Sequence, residues 1–161
     1  MRKLLLVSFV LMLFSCQSNQ GNPNNELALR FFDTYSKRKE VDKMVSFYAD
    51  KFEYENIVFE SETDNSRFLY EEFYGWKDPN FIYENPETIH VDEILTSDST
   101  IIGKGITMPY TYNGREIAGT KFVIVLELDK DRKIKKQTDW FNYPMAEIIE
   151  AYHLKTSMEI K

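Results

Sequence analysis

The sequence predicts an α+β domain in which a curved antiparallel sheet carries, on one face, three helices that all come from the N-terminal half. Apolar residues recur at helical spacing in the first part of the chain, and from Thr88 onwards they alternate with a period of two, which is typical of strands. Asn113-Gly114, between two alternating runs, is a hairpin signal. The sequence shows no internal repeat, and 161 residues are enough for one domain with a sizeable core.

Three segments have the spacing of amphipathic helices. The first covers Glu26 to Lys39, and the second begins at Val41. Asp64 is a candidate N-cap for a third helix that continues to about Trp76. A first strand is predicted from Phe52 to Phe59, because this stretch is rich in aromatic and β-branched residues.

The second half of the chain predicts strands separated by turns. The predicted strands are Thr88–Leu95, Thr100–Tyr112, Thr120–Leu128 and a last one from Ile134 to the Asn142-Tyr143-Pro144 segment. A short terminal helix is predicted over Met145–Leu154. Gly103-Lys104-Gly105 lies inside a predicted strand, so it indicates a bulge or bend and not a phosphate loop.

The first sixteen residues predict a lipoprotein signal peptide. Arg2 and Lys3 precede an apolar run that is too short to span a bilayer comfortably and that ends at Cys16, the only cysteine. The ending Leu13-Phe14-Ser15-Cys16 resembles the lipobox of bacterial lipoproteins, which implies that Cys16 is lipidated. The alternative is an ordinary secretory signal with a chance cysteine. Residues 17–25 contain no large apolar side chain and predict a polar linker, which leaves 26–157 as the domain.

The expected location is the bacterial cell envelope, with the protein anchored by lipid and facing the periplasm. Loss of Arg2 and Lys3 with the signal would change the net charge from −6 to −8. A domain with this negative charge is a poor candidate for binding nucleic acid or anionic lipid headgroups. The lipid on Cys16 is therefore expected to be its membrane contact.

The last predicted strand carries the best candidate for chemistry. Asp139 lies beside Trp140 and Phe141, and a carboxylate desolvated by such rings would have a raised pKa, in the range of a general base. The alternatives are a carboxylate hydrogen-bonded to a neighbouring strand or solvated at the mouth of a pocket. Alternation places Gln137, Asp139 and Phe141 on one face, which we expect to be the face covered by the helices.

His90 is a second candidate catalytic residue, because in a strand it faces away from both Ile89 and Val91. A surface or packed histidine is the alternative. The two histidines are far apart in the sequence and no thiol remains after lipidation, so neither a metal site nor a cofactor is predicted.

Two stretches resemble the nuclear transport factor 2-like superfamily, in its SnoaL-like polyketide cyclase branch. One is Phe31-Phe32-x-x-Tyr35 followed by Met44 to Asp50. The other is Lys133-Ile134, four residues, then Asp139-Trp140-Phe141-Asn142. The resemblance implies a cone-shaped α+β barrel, with a deep pocket between sheet and helices that Asp139 lines. Epoxide hydrolase relatives also need an Arg-x-Asp pair, and its absence from this chain argues against epoxide hydrolysis.

The expected function is binding of a small, partly apolar ligand in this pocket without clear catalysis. The candidate pocket residues are Phe32, Tyr35, Tyr54, Trp76, Tyr110, Gln137, Asp139 and Phe141. The alternative is a small cyclase or isomerase with Asp139 as general base, which a second polar group facing Asp139, such as His90, Tyr54 or Tyr110, would favour. A structural role in an envelope complex is a third hypothesis.

A homodimer through the sheet is also predicted, because the strand Thr120–Leu128 is apolar on both faces. Register across the following turn is expected to place Ile134 and Trp140 on the face of Phe122, toward a partner subunit. Asp139 would then share the opposite face with Val123. The alternative is that the terminal helix folds back over the free face.

Overall fold

The computed structural model describes residues 22–149 together with residues 152 and 153. The predicted signal peptide, Cys16 and the linker as far as residue 21 lie outside the described residues, as does most of the predicted terminal helix beyond residue 149. Within the described ranges, no helix is both long enough and apolar enough to cross a bilayer.

Helix α1 (Pro23–Lys37) begins three residues before its predicted start, because Asn22 caps it. The Asn22 side chain accepts a hydrogen bond from the Asn24 amide at 3.0 Å, and Pro23 occupies the first turn, where its missing N–H leaves no hydrogen bond unmade. Asn24 is buried, and its side chain donates to the carbonyl oxygens of Ser97 at 2.7 Å and Asp98 at 3.1 Å. The end of the predicted linker is therefore part of the folded domain.

The other helices are short. Helix α2 covers Val41–Val45, and α3 covers Ser66–Phe68 with Asn65 as its N-cap. The predicted third helix does not continue as an α-helix, because Leu69–Phe73 forms a π-helical turn closed by a bond from the Tyr74 amide to the Leu69 carbonyl. Residues 145–149, the described start of the predicted terminal helix, are helical.

Six strands form the main sheet: β1 Tyr48–Asn56, β2 Ser61–Thr63, β4 Ile89–Thr96, β5 Thr100–Thr107, β8 Lys121–Leu128 and β9 Ile134–Phe141. Their spatial order is β2-β1-β9-β8-β5-β4. Among the described strand pairs, only β1 and β9 run parallel, and the rest are antiparallel. The predicted α+β class with a curved antiparallel sheet is confirmed.

A second sheet of three short strands was not predicted. It consists of β3 Phe81–Tyr83, β6 Tyr110–Tyr112 and β7 Arg115–Ile117. The single predicted strand Thr100–Tyr112 is divided into β5 and β6 at Pro109, which has no N–H to donate to a ladder. The predicted hairpin at Asn113-Gly114 is confirmed: both residues have positive φ, at 50° and 77°, and they connect β6 to β7.

A β-bulge sets the register of β9. Ile134 pairs with Leu128, but Lys136 pairs with Glu127, so Lys135 is an extra residue. Ile134 therefore lies on the face of Leu128, as predicted, while the rest of β9 is shifted by one. Asp139 pairs with Ile124 and is buried with it beneath α1 and the π turn. Asp139 therefore faces the helices, as predicted. The prediction that it shares this face with Val123 is wrong, because its neighbour on β8 is Ile124.

The prediction that the Phe122 face of β8 points toward a partner subunit is wrong for the same reason. Phe122, Ile124 and Leu126 are buried in the core of one chain. Trp140 pairs instead with Val123 on the outer face, where it is 40% exposed.

Candidate functional site

A cavity of about 300 Å³ lies between the open end of the main sheet, α1 and the small sheet. Nine of its sixteen lining residues are aromatic, so it can enclose a ring-shaped, largely apolar molecule. Three of the nine come from α1 and the π turn, three from the small sheet, and three from the ends of β1 and β9: Tyr35, Phe73 and Tyr74; Phe81, Tyr83 and Tyr110; Phe59, Phe141 and Tyr143.

The small sheet forms one wall of this cavity through its rings. Tyr83 on β3 stacks on Tyr110 on β6, with 5.1 Å between ring centroids, and Phe81 lies 5.5 Å from the same ring. The Asn113-Gly114 hairpin returns the chain so that Ile117 reaches this wall from β7. A hairpin therefore supplies a side of the cavity that the main sheet leaves open.

Arg38 is the basic side chain among the lining residues. It ends α1 in the left-handed conformation, with φ of 49°, and its Nη2 donates to the carbonyl oxygens of Tyr74 at 2.6 Å and Gly75 at 3.0 Å. Its guanidinium carbon lies 5.0 Å from the ring centroid of Phe81 and 5.2 Å from that of Tyr83. Backbone carbonyls and ring faces thus hold the cation at the cavity wall.

Asp139 lies behind this wall, fully buried in the second half of β9. The Gln137 amide donates to its two carboxylate oxygens at 3.0 and 3.1 Å, and the Tyr74 hydroxyl donates to Oδ2. The Gln137 carbonyl in turn accepts from the hydroxyl of Tyr48 and, at 3.4 Å, from that of Tyr70. The carboxylate is therefore the acceptor at the end of a chain of buried hydrogen bonds.

Burial raises the pKa of Asp139 to about 7, because desolvation disfavours the charged form. The hydrogen bonds from Tyr74 and Gln137 act in the opposite direction and only partly offset it. In the part of the chain that the structure describes, no basic side chain forms an ion pair with this carboxylate. Asp139 is consequently poised to gain or lose a proton near neutral pH.

The surrounding tyrosines, unlike Asp139, do not change protonation near neutral pH. Burial raises the pKa of Tyr35, Tyr48, Tyr70 and Tyr74 well above 10, and the nearby Asp139 carboxylate raises it further. Their hydroxyl groups remain protonated and can act only as neutral hydrogen-bonding groups at physiological pH.

Tyr74 connects the two parts of the site. It lines the cavity, donates to Asp139 and lies 3.2 Å from the Tyr54 hydroxyl. Asn56 extends the connection, because its amide donates to Tyr54 at 3.4 Å and to the cavity-lining Tyr143 at 3.3 Å. The Tyr74 hydroxyl thus links the cavity wall to the Asp139 carboxylate.

The predicted pocket residues fall into two groups. Tyr35, Tyr110 and Phe141 line the cavity. The others lie outside its lining. Tyr54, Gln137 and Asp139 form the network behind the wall, Phe32 packs against Gly103, and Trp76 packs on Tyr70 with 4.7 Å between ring centroids.

The structure does not bring His90 to Asp139. Its side chain is 65% exposed on β4, 3.6 Å from the Asp92 carboxylate, and two strands separate β4 from β9. Among the described residues, no group of three or more His, Cys, Asp or Glu side chains could hold a metal ion.

Sequence reasoning missed Arg38 and Tyr74. Arg38 stands in the charged run Lys37-Arg38-Lys39-Glu40, which has the composition of a solvated helix end. Tyr74 does not belong to the apolar spacing of the predicted third helix, and it reaches the site because the π turn adds a residue there.

Comparison with known proteins places the chain by its fold. No protein-family model matches the sequence, and no curated protein matches it either. A protein of Shewanella putrefaciens described as a SnoaL-like polyketide cyclase superimposes with a TM-score of 0.64 and 14% identity, over 81% of this chain and 98% of that one. An LEH-like epoxide hydrolase of M. tuberculosis superimposes with a TM-score of 0.57 and 14% identity, over 78% and 86% of the two chains.

A protein of Kribbella flavida described as a ketosteroid isomerase gives a TM-score of 0.53 at 16% identity, over 74% of this chain and 77% of that one. Identities this low show the fold alone. The chain has the cone-shaped α+β fold of the SnoaL-like and nuclear transport factor 2-like proteins, with a curved sheet that does not close.

Proposed function

We propose that this domain binds a small, largely apolar molecule with a planar ring in the cavity beside the small sheet, without turnover. The observation that carries the proposal is the composition of the cavity wall, in which nine aromatic side chains surround about 300 Å³. Ring faces stack on planar ligands, and the few polar groups among them, such as Arg38 and the Tyr74 hydroxyl, would fix orientation.

The structural neighbours support a small organic ligand. Three proteins of this fold are described as acting on a polyketide, an epoxide and a ketosteroid. These descriptions differ in chemistry but agree that proteins of this fold take small organic molecules, which is the class that the cavity would accommodate.

Titration calorimetry with 2-naphthol tests the proposal. We expect saturable, one-to-one binding to the purified protein. Ile117→Trp should weaken it at least about tenfold, because Ile117 lines the cavity and a larger side chain would fill it. Glu116→Trp adds the same bulk at the exposed neighbouring position and should leave the affinity unchanged. No binding to the wild type, or equal effects of the two variants, would refute the proposal.

A second function is favoured by one specific observation. A carboxylate with a pKa of about 7, linked to the cavity by the Tyr74 hydroxyl, is suited to a cyclase or isomerase in which Asp139 accepts a proton from a bound ketone. In this mechanism Tyr74 either stabilises the developing enolate oxygen or swings aside to admit the substrate to the carboxylate.

Exchange of the acidic α-hydrogens of 2-tetralone in D₂O distinguishes the two functions. Binding without accelerated exchange supports the binding domain. Accelerated exchange that Asp139→Asn abolishes supports the isomerase, and Tyr74→Phe then reports whether the hydroxyl takes part.

The proposed setting is the bacterial envelope, with the domain tethered by lipid on Cys16 and facing the periplasm. The lipobox-like ending Leu13 to Cys16 supports this, and two or more acyl chains would give stable attachment. Cys16→Ala should move the protein to the soluble fraction, and its retention in the membrane would contradict the anchor.

A homodimer through the outer face of the main sheet is part of the same proposal. On this face Leu95 is 54% exposed beside Ile102 and Val125, and Trp140 lies nearby. Exposed apolar side chains on adjoining strands support burial against a second copy. Light scattering at micromolar concentration should give a dimer mass that Trp140→Glu reduces to a monomer mass, and a monomeric wild type would refute this part.

A further inference from the structure

We infer that Arg38 selects the ligand by charge, so that the cavity takes a planar ring bearing an anionic group such as a carboxylate or an enolate. This inference rests on the proposed function of the cavity, because it specifies which class of small molecule that cavity binds. It goes beyond shape, since the aromatic wall alone would accept neutral and charged rings of similar size.

The hydrogen bonds of Arg38 leave donors available at the cavity. Both bonds to the carbonyl oxygens of Tyr74 and Gly75 are made by Nη2. In the described part of the chain, Nε and Nη1 donate to no protein group, and Arg38 is among the residues that line the cavity. A guanidinium held on one side keeps its other N–H groups for a planar acceptor, such as a carboxylate.

The charge of Arg38 is not neutralised by the protein. Within residues 22–149, no carboxylate lies within 4 Å of its guanidinium, whereas Arg67 on the surface pairs with both Asp42 and Glu71. Arg38 is half-buried among ring faces, a position in which a cation without an anionic partner is costly. The rings of Phe81 and Tyr83 reduce that cost, and an anionic ligand would remove more of it.

One acidic side chain, Glu147, also lines the cavity. The Arg38 guanidinium lies against the rings of Phe81 and Tyr83 on β3, and Tyr83 stacks on Tyr110. The anionic group of the ligand is therefore placed at the β3 side of the cavity, against Arg38, with the ring toward Tyr110.

A purely structural role for Arg38 makes a different prediction. In that case its bonds to Tyr74 and Gly75 only join the end of α1 to the chain after the π turn. Loss of Arg38 would then lower stability and weaken every ligand alike, whatever its charge.

Calorimetry with two matched probes separates these roles. 2-Naphthoate and 2-naphthamide share ring and shape, and differ in charge. We expect the wild-type protein to bind the carboxylate about tenfold more tightly than the amide, the size of effect that a charge-assisted hydrogen bond gives. This comparison uses the wild type alone, so it stands even if a variant fails to fold.

Arg38→Gln should then lower the affinity for 2-naphthoate to that for 2-naphthamide and leave the amide affinity within about twofold. Arg30→Gln removes an exposed arginine of α1 that does not line the cavity, and it should change neither affinity. Equal wild-type affinities for the two probes would overturn this inference and leave the proposed function standing. An Arg38→Gln variant that weakens both probes equally would also overturn it. If neither probe binds to the wild-type protein, both this inference and the proposed function are overturned.

Discussion

The two sides of Tyr74 differ in how their polar groups are satisfied. Behind it, Asp139 and Gln137 are fully buried and bonded to each other and to tyrosine hydroxyls. In front of it, Arg38 has unused donors and lies among partly exposed rings of the cavity wall. A saturated buried network stabilises one structure, whereas unsaturated groups at an accessible wall are available to a ligand.

The largest effect should come from the proton on Asp139. Its folded-state pKa of about 7 lies above its ordinary 3.8, so between these values the folded protein holds a proton that the unfolded chain has lost. The free energy of unfolding should therefore fall as pH rises through this window, by about 3 kcal/mol between pH 5 and pH 8. Asp139→Asn keeps the size and removes the titration, so urea unfolding of this variant should lack that part of the pH dependence. If the free energy of unfolding changes with pH in the same way in the wild type and in Asp139→Asn, the pKa of Asp139 is not raised by folding.

Removing the donor of the network should have the next largest effect. Gln137→Leu leaves the Asp139 carboxylate without two of its hydrogen bonds and Tyr48 without its acceptor on Gln137, so we expect a loss of about 2 kcal/mol of unfolding free energy at pH 8, where Asp139 is ionised. Thr138→Leu, on the next residue of β9 and facing outward, should change stability by less than about 0.5 kcal/mol. Similar losses in both variants would mean that the strand tolerates no leucine, and that the network is not the cause.

The cavity wall should show the reverse balance, with little effect on stability and more on binding. Tyr83→Leu removes the ring that stacks on Tyr110 but keeps an apolar side chain, which should cost about 1 kcal/mol of unfolding free energy. Binding of 2-naphthol should weaken about tenfold by calorimetry, since the ring contributes stacking. Ile82→Leu changes the exposed neighbour on β3 and should affect neither quantity. Unchanged binding in Tyr83→Leu would remove β3 from the site.

The fold and part of the site could be predicted from the sequence, because they depend on local patterns. The period-two alternation and the Asn113-Gly114 turn indicate strands and a hairpin directly, and the alternation around Asp139 indicates which side chains share its face. The neighbours of Asp139 on β8 were predicted wrongly because of the bulge at Lys135. The adjacent charged residues Lys135 and Lys136 are the sequence signal for this bulge, since strict alternation would place one of the two lysines on the buried face of the sheet.

The rest depends on contacts between distant parts of the chain. Arg38 lines the cavity only because β3 and the residues after the π turn pack against the end of α1. The parallel pairing of β1 with β9, which places Asn56 beside Asp139, has no local signature in either strand. The position of Asp139 behind the cavity wall depends on where the Tyr74 side chain lies, and the π turn determines that position.

The two tryptophans give the most direct test of where a ligand binds. Trp76 is 9% exposed, and its ring centroid lies 6.0 Å from the Arg38 guanidinium beside the cavity, while Trp140 is 40% exposed on the outer face of the sheet. With only two tryptophans in the chain, the indole N–H signals in a ¹⁵N-labelled sample can be assigned with one Trp140→Phe variant. Titration with 2-naphthol should shift the Trp76 signal to saturation and leave the Trp140 signal in place. A shift of Trp140 alone, or of neither signal, would contradict a ligand site in this cavity.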